Sequence, residues 1–182
     1  QTPTREQAMG EFLNTLQSAN LSTADLNIAK PLVTYLKLAG SALVPTTSQS
    51  QADAVQIDLF RKDVDGFRVL TSNPDTGLVR IILSSSRVPG KRILFLKYNY
   101  WPVDMKKTGI YKLKKSSEAW EELQQGKAFF ASATQNQTQF TITGVSLAYY
   151  DSLDTQYFLQ PVFVFTGENK FQAFVPAIAP PW

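Results

Sequence analysis

The first apolar positions along the chain repeat with helical spacing: Met9, Phe12, Leu13 and Leu16 fall at i, i+3, i+4 and i+7. Thr2-Pro3-Thr4 ahead of them supplies a cap and a first-turn proline, and Thr4 with Gln7 has the spacing of a capping box. A helix ending near Asn20 is therefore predicted. A strand or short helix follows over Pro31 to Leu38, then a polar loop from Thr46 to Gln51. Val55, Ile57 and Leu59 alternate with Gln56 and Asp58, the period of a half-buried strand. Asp63-Val64-Asp65-Gly66 is turn chemistry, and Phe67 to Leu70 is predicted to return as the hairpin partner of that strand. Further strands are predicted at Leu78 to Leu83, Arg92 to Trp101 and Ile110 to Leu113, after turns at Asn73 to Gly77 and at Pro89-Gly90.

Ser116-Ser117-Glu118 then caps a second helix, Ala119 to Gln125, with Ala119, Trp120 and Leu123 on its apolar face and Gly126 as its stop. In the strand Gln139 to Tyr150 the apolar phase shifts from Phe140 and Ile142 to Val145, Leu147 and Tyr149, which predicts a bulge at Gly144. A last hairpin runs from Tyr157 to Phe165, turns at Thr166 to Asn169 and returns through Phe171 to Ile178. Strand follows strand through short turns, with no βαβ alternation, so the fold class is α+β with mostly antiparallel sheets. The two halves read alike. Ala8-Met9-Gly10-Glu11-Phe12 and Ala119-Trp120-Glu121-Glu122-Leu123 share one pattern, and each helix leads to a hairpin, Ile57 to Leu70 and Val162 to Val175. An internal duplication is expected, with one helix-plus-antiparallel-sheet unit in 1–108 and a second in 109–182.

Composition then narrows the chemistry. The 182 residues contain no Cys and no His, which removes thiolate chemistry, Cys-ligated zinc and the commonest general base. The net charge of +3 is too small to imply nucleic acid. The longest apolar stretch, Ile28 to Val44, is broken by Lys30 and Lys37 and does not reach membrane-spanning length. The chain opens at Gln1 without an initiator Met, so an upstream piece carrying a signal peptide or anchor is expected.

The stretch Tyr149-Tyr150, Tyr157 to Phe165 and Phe171 to Ala177 places an apolar Pro-Val-aromatic strand against a strand ending in Ala. It resembles the C-terminal hairpin of bacterial membrane-tethered regulatory ectodomains of the YycH/YycI type, and helix-then-sheet used twice is similar to PepSY-like folds. The resemblance covers the last ~70 residues by sequence pattern and the first half by topology. It implies an extracytoplasmic domain held at its N-terminus to a bacterial envelope, which modulates a sensor kinase through protein contacts and has no catalytic motif.

Glu118, Glu121 and Glu122 on a helix, and Asp63 and Asp65 in a turn, show no spacing that converges on one cleft, so no catalytic, metal or cofactor site is expected. Lys106, Lys107, Lys112, Lys114 and Lys115 form a basic cluster with no acid from Met105 to Lys115, suited to an anionic polymer or membrane surface. Aromatics are uneven: only Phe12, Tyr35, Phe60 and Phe67 precede residue 92. The strand Tyr157 to Phe165 is apolar on both faces, so a helix covers one and something else the other. Tyr149 and Tyr150 are adjacent and must point to opposite faces, and Trp101 beside Pro102 is expected near a sheet edge. These three are the expected partner-binding aromatics. Asn20-Leu21-Ser22 and Asn136-Gln137-Thr138 match a glycosylation pattern and are assigned no function. A non-catalytic binding or regulatory ectodomain contacting an envelope protein is the expected function. A carbohydrate-binding or glycan-processing module using the second-half aromatics, and a structural surface or pilus-associated subunit, are the alternatives.

Overall fold

The capping box forms as its spacing requires. The Thr4 hydroxyl accepts from the Gln7 N–H at 3.2 Å, and the Gln7 side chain accepts from the Thr4 N–H at 3.0 Å. A computed structural model of the protein describes residues 2–88, 90–132 and 139–180. In chain order, helix α1 (Arg5–Ser18) precedes strands β1 (Leu32–Ala39), β2 (Ala42–Thr46), β3 (Ala54–Leu59), β4 (Val69–Leu70), β5 (Val79–Ser84) and β6 (Ile93–Tyr98). Helix α2 (Ser116–Gln124) precedes β7 (Phe129–Ser132), β8 (Ile142–Tyr150), β9 (Gln160–Gly167) and β10 (Gln172–Pro176). The fold is α+β, with two helices and two mostly antiparallel five-stranded sheets among the described residues.

The chain forms two compact units, Gln1–Arg61 with Asp75–Pro102, and Lys62–Pro74 with Val103–Trp182. In place of a single boundary between 108 and 109, the chain enters the second unit at Lys62, returns at Asp75 and leaves again at Val103.

In the first unit the strand order is β2-β1-β3-β5-β6, all antiparallel. The alternation read from β3 sets its core face: Val55, Ile57 and Leu59 lie opposite Leu83, Ile81 and Val79, and all six are fully buried. Helix α1 packs against β3 and buries Ala8, Phe12 and Leu16 completely. Each large side chain so buried contributes roughly 1.5–3 kcal/mol. On the opposite phase of the same strand pair, Asp58 is also fully buried. Its carboxylate accepts from the Gly77 N–H at 2.8 Å, from Arg80 Nε at 2.7 Å and from Gln56 Nε2 at 2.9 Å. Gly77 itself runs against β3 so closely that a Cβ would lie 2.6 Å from the Leu59 carbonyl oxygen.

In the second unit the order is β4-β8-β9-β10-β7, antiparallel except for β4, which runs parallel to β8. The double-sided strand β9 divides its side chains between two clusters. Phe163 and Phe165 join Ala119 of α2, Val175 and Ala177, while Val162 and Val164 join Leu70, Ala148 and Phe174. The bulge expected at Gly144 appears as a register shift between Ile142 and Gly144.

Several expected elements differ. Phe67 to Leu70 does not pair with β3, whose neighbours are β1 and β5. Val64 and Phe67 instead exchange both backbone hydrogen bonds in a closed local turn at 2.9 Å each, and the two residues of β4 then pair with Tyr149 and Tyr150. Ile110 to Leu113 is not a strand; Leu113 makes a single bridge to Ile178. Strand β2 is not among the expected elements and forms because Gly40 at φ 63° lets the chain reverse immediately after β1; the expected loop begins at its last residue, Thr46. An internal duplication is not shown. The first unit places its first strand beside β3, whereas β7 of the second unit docks beside the last strand, β10.

Removing the Asp58 carboxylate leaves Arg80 and the Gly77 N–H facing a buried, empty acceptor position. Asp58→Ala is expected to destabilise the protein by about 3 kcal/mol, and Asp58→Asn, which still accepts from Gly77, by less. Gly77→Ala is expected to cost at least about 2 kcal/mol through the clash with Leu59. Urea midpoints at unchanged m-value measure each; an Asp58→Ala loss below about 1 kcal/mol would contradict the assignment.

Candidate binding surfaces

Several interior ionisable groups are engaged with one another. Arg61 is buried and donates to the Asp25 carboxylate and, at 2.9 Å, to the Trp101 carbonyl. The Tyr100 hydroxyl donates to the same Asp25, and the Arg61 guanidinium lies 5.1 Å above the Tyr100 ring. Beside it the Tyr98 hydroxyl donates to the Ser22 carbonyl at 2.8 Å. Burial raises the Tyr98 pKa above the usual phenol value, and the Asp25 charge acts in the same direction. Glu11 holds Arg92 through two bonds of 2.6 and 2.8 Å, which raise the arginine's pKa further. An open cleft of about 740 Å³ next to the start of α1 contains this pair together with Thr2, Gln49, Ser86 and Arg87. Its single carboxylate is already committed to a cation. No group of three or more acidic side chains is placed to hold a metal among the described residues.

The expected partner-binding aromatics separate. Trp101 belongs to the first unit and is half exposed, its backbone held by Arg61. Tyr149 and Tyr150 belong to the second unit and are half-buried. Their side chains do take opposite faces. Tyr149 meets Phe67 edge-on at 6.3 Å, whereas Tyr150 packs with Phe129 and Phe174 at 6.1 and 5.8 Å. Both tyrosines are thus part of the sheet's own packing.

The basic cluster loses one member. Lys106, Lys107, Lys112 and Lys115 are exposed, but Lys114 is buried, with its ammonium 2.8 Å from Glu122 and its N–H on the Ala177 carbonyl. Adjacency along the chain carries no information on burial: Leu113 bridges Ile178, and the next residue turns inward. Glu122, expected on a solvated helix face, is the partner that makes this burial possible. Glu118 accepts from the Lys115 N–H at 3.0 Å and so caps α2. Asp63 and Asp65 are exposed, the latter at φ 50° in its turn. Asn20 is exposed just after α1, and Asn136 to Thr138 lie outside the described residues.

Two exposed apolar stretches go beyond the candidates named from the sequence. The segment from Val103 to Leu113, expected to include a strand, is a loop that exposes Met105, Ile110 and Tyr111 among Lys106, Lys107 and Lys112. The Tyr111 ring folds back over Gly109, where a Cβ would lie 2.6 Å from it, and this leaves Ile110 fully exposed at the tip. The other is β6, whose Ile93, Leu94, Phe95 and Leu96 are all exposed. The continuous apolar run was visible in the sequence, but such a run fits a doubly covered strand as well as a bare edge. No protein-family model, curated protein or solved structure matches the chain.

Lys114 is buried but its partner Glu122 is 29% exposed, so Lys114→Ala is expected to destabilise the second unit by roughly 1–2 kcal/mol, while Lys106→Ala and Lys107→Ala stay within about 0.5 kcal/mol. Thermal unfolding of the three variants checks this. Equal losses at all three positions would return Lys114 to the exposed cluster.

Proposed function

We propose that the chain is a non-catalytic binding domain that works outside the cytoplasm through contacts with a protein of the bacterial envelope. The observation that carries this reading is the loop Val103 to Leu113. A fully exposed Ile110, with Met105 and Tyr111 exposed on either side, presents apolar surface that a free-standing domain has no internal reason to display. The loop is tied down at its far end, where the Ala179 N–H bonds the Lys112 carbonyl and Leu113 bridges Ile178. It is therefore a presented segment with a fixed base, the arrangement on which binding residues are commonly carried. The absence of His and Cys from the sequence and the mutual pairing of the interior charges support a role without covalent chemistry. The extracytoplasmic setting and the N-terminal tether rest on the resemblance of the C-terminal stretch to membrane-tethered regulators. No helix among the described residues is long and apolar enough to cross a membrane. The reading does not require the two units to be copies of each other.

A glycan-binding role is the second reading, favoured by Tyr157 and Phe158, which are adjacent and strongly exposed before β9. Aromatic faces of this kind suit sugar rings as well as proteins.

A photoreactive side chain placed at Ile110 in cells that carry the protein separates the readings. A discrete protein adduct is expected from position 110 and none from Glu121, an exposed position on α2. Ile110→Asp should remove at least tenfold of the binding to that protein, about the loss of one modest hot spot, while Ala at Asp63, Asp65, Glu118 or Glu121 leaves it unchanged. Binding to envelope glycan that Tyr157→Ala abolishes, without any adduct at 110, would replace the protein-binding reading.

A further inference from the structure

Strand β6 is the last strand of its sheet, so one side of its backbone has no strand neighbour among the described residues. The register with β5 shows which groups face that side. The Asn99 N–H bonds the Leu78 carbonyl, and the pairs Lys97–Arg80 and Phe95–Ile82 fall in the same phase. Backbone groups alternate along an antiparallel strand, so Phe95 and Lys97 turn theirs towards β5 and Leu96 turns its N–H and C=O outward. The side chains are open as well: Ile93 is 42% exposed, Leu94 52%, Phe95 45% and Leu96 37%. A register shift leaves Leu94 extra between Ile93, opposite Leu83, and Phe95, opposite Ile82, so the regular part of the free edge runs from Phe95 to Tyr98. An accessible apolar edge of this kind is a template for another strand.

Charge selects the occupant. From 76 to 103 the sequence contains Arg80, Arg87, Lys91, Arg92 and Lys97 and no acidic residue. Arg80 and Arg92 are neutralised by Asp58 and Glu11, but Lys91 and Lys97, which bracket the apolar run, have no ion-pair partner among the described residues. A second copy of this edge would bring only the same unpaired lysines, with no acidic residue in 76–103 to meet them. Like charges facing each other across strands are destabilising. An extended segment with carboxylates on both sides of an apolar centre meets a cation at each end instead.

We propose that β6 is a strand-addition site for an extended, apolar segment of a partner protein flanked by acidic residues. The outward N–H and C=O of Leu96 supply main-chain hydrogen bonds, the exposed side chains supply the packing, and the two lysines set the register. The site stands on the strand edge alone and does not use the loop around Ile110.

The probe is a blocked nine-residue peptide of alternating valine and threonine with glutamate at both ends, compared with a lysine-ended counterpart and with a form N-methylated at alternate amides. The glutamate peptide is expected to bind at least about tenfold more tightly than the lysine peptide, with an advantage that shrinks as salt is raised. N-methylation should abolish binding, and the Leu96 amide should exchange more slowly in the complex. Leu96→Pro removes an outward donor without breaking the ladder to β5, and Leu94→Lys leaves the backbone intact; both should lose the peptide while keeping the unfolding midpoint. Equal binding of the two charged peptides, no binding of either, or no protection at Leu96 overturns the proposal. So does a dimer in sedimentation that Leu94→Lys dissolves, which would assign the edge to a second copy.

Discussion

The Asp58 carboxylate is the constraint on which the first unit's architecture turns. The chain leaves that unit after Arg61, supplies a strand to the second unit and returns at Asp75. The alternation of β5 fixes which face it buries but does not exclude a slip of two residues along β3. Asp58 does, because it accepts at once from Gly77 and Arg80, and Arg80 in turn holds the Asp75 carbonyl at 2.8 Å. A buried carboxylate with three donors has a single comfortable arrangement. A one-residue slip of β5 would also exchange Val79, Ile81 and Leu83 for Arg80 and Ile82 on the core face.

The same logic shows how much of the fold could be read from the chain. Wherever a signal was local and redundant, as in the Thr4–Gln7 box, the alternation of β3 or the shifted phase around Gly144, the structure follows it. Ile110 to Leu113, a short run with no second signal, fails as a strand, and the other failures are those of long-range choice. Val69 and Leu70 read as strand, and are strand, but their partner lies in the second unit. Lys114 reads as one of five surface lysines until a bridge at the preceding residue and a glutamate on α2 bury it. Adjacent Tyr149 and Tyr150 were correctly assigned to opposite faces. Spacing carried no information that neighbours such as Phe67, Phe129 and Phe174 would take up so much of each ring.

Charge is handled differently inside and outside. The interior ion pairs Asp25–Arg61, Asp58–Arg80 and Glu122–Lys114 each balance one cation with one anion. Pairs of this kind add little net stability over apolar packing, but they tolerate few alternative arrangements. The chain's excess of cations is then left largely to exposed positions, including Lys91, Lys106, Lys107 and Lys112. The basic character of the protein is thus a property of particular edges and loops more than of the molecule as a whole.

The parallel pairing of β4 with β8 has a consequence for the order of events during synthesis. Val69 lies against Tyr149, a residue the ribosome delivers about 80 positions later, since 69 and 149 are the paired numbers. Closing so long a loop adds only modestly to the thermodynamic cost, but contacts this distant in sequence slow folding. The first unit can complete its sheet once Tyr98 has emerged, with the 62–74 segment looped out from between β3 and β5. That segment must then wait, its two strand residues unpaired, until β8 arrives. A break in the chain between the units would therefore not release two independent pieces: any cut near residue 102 strands the edge of one sheet on the fragment that carries the other.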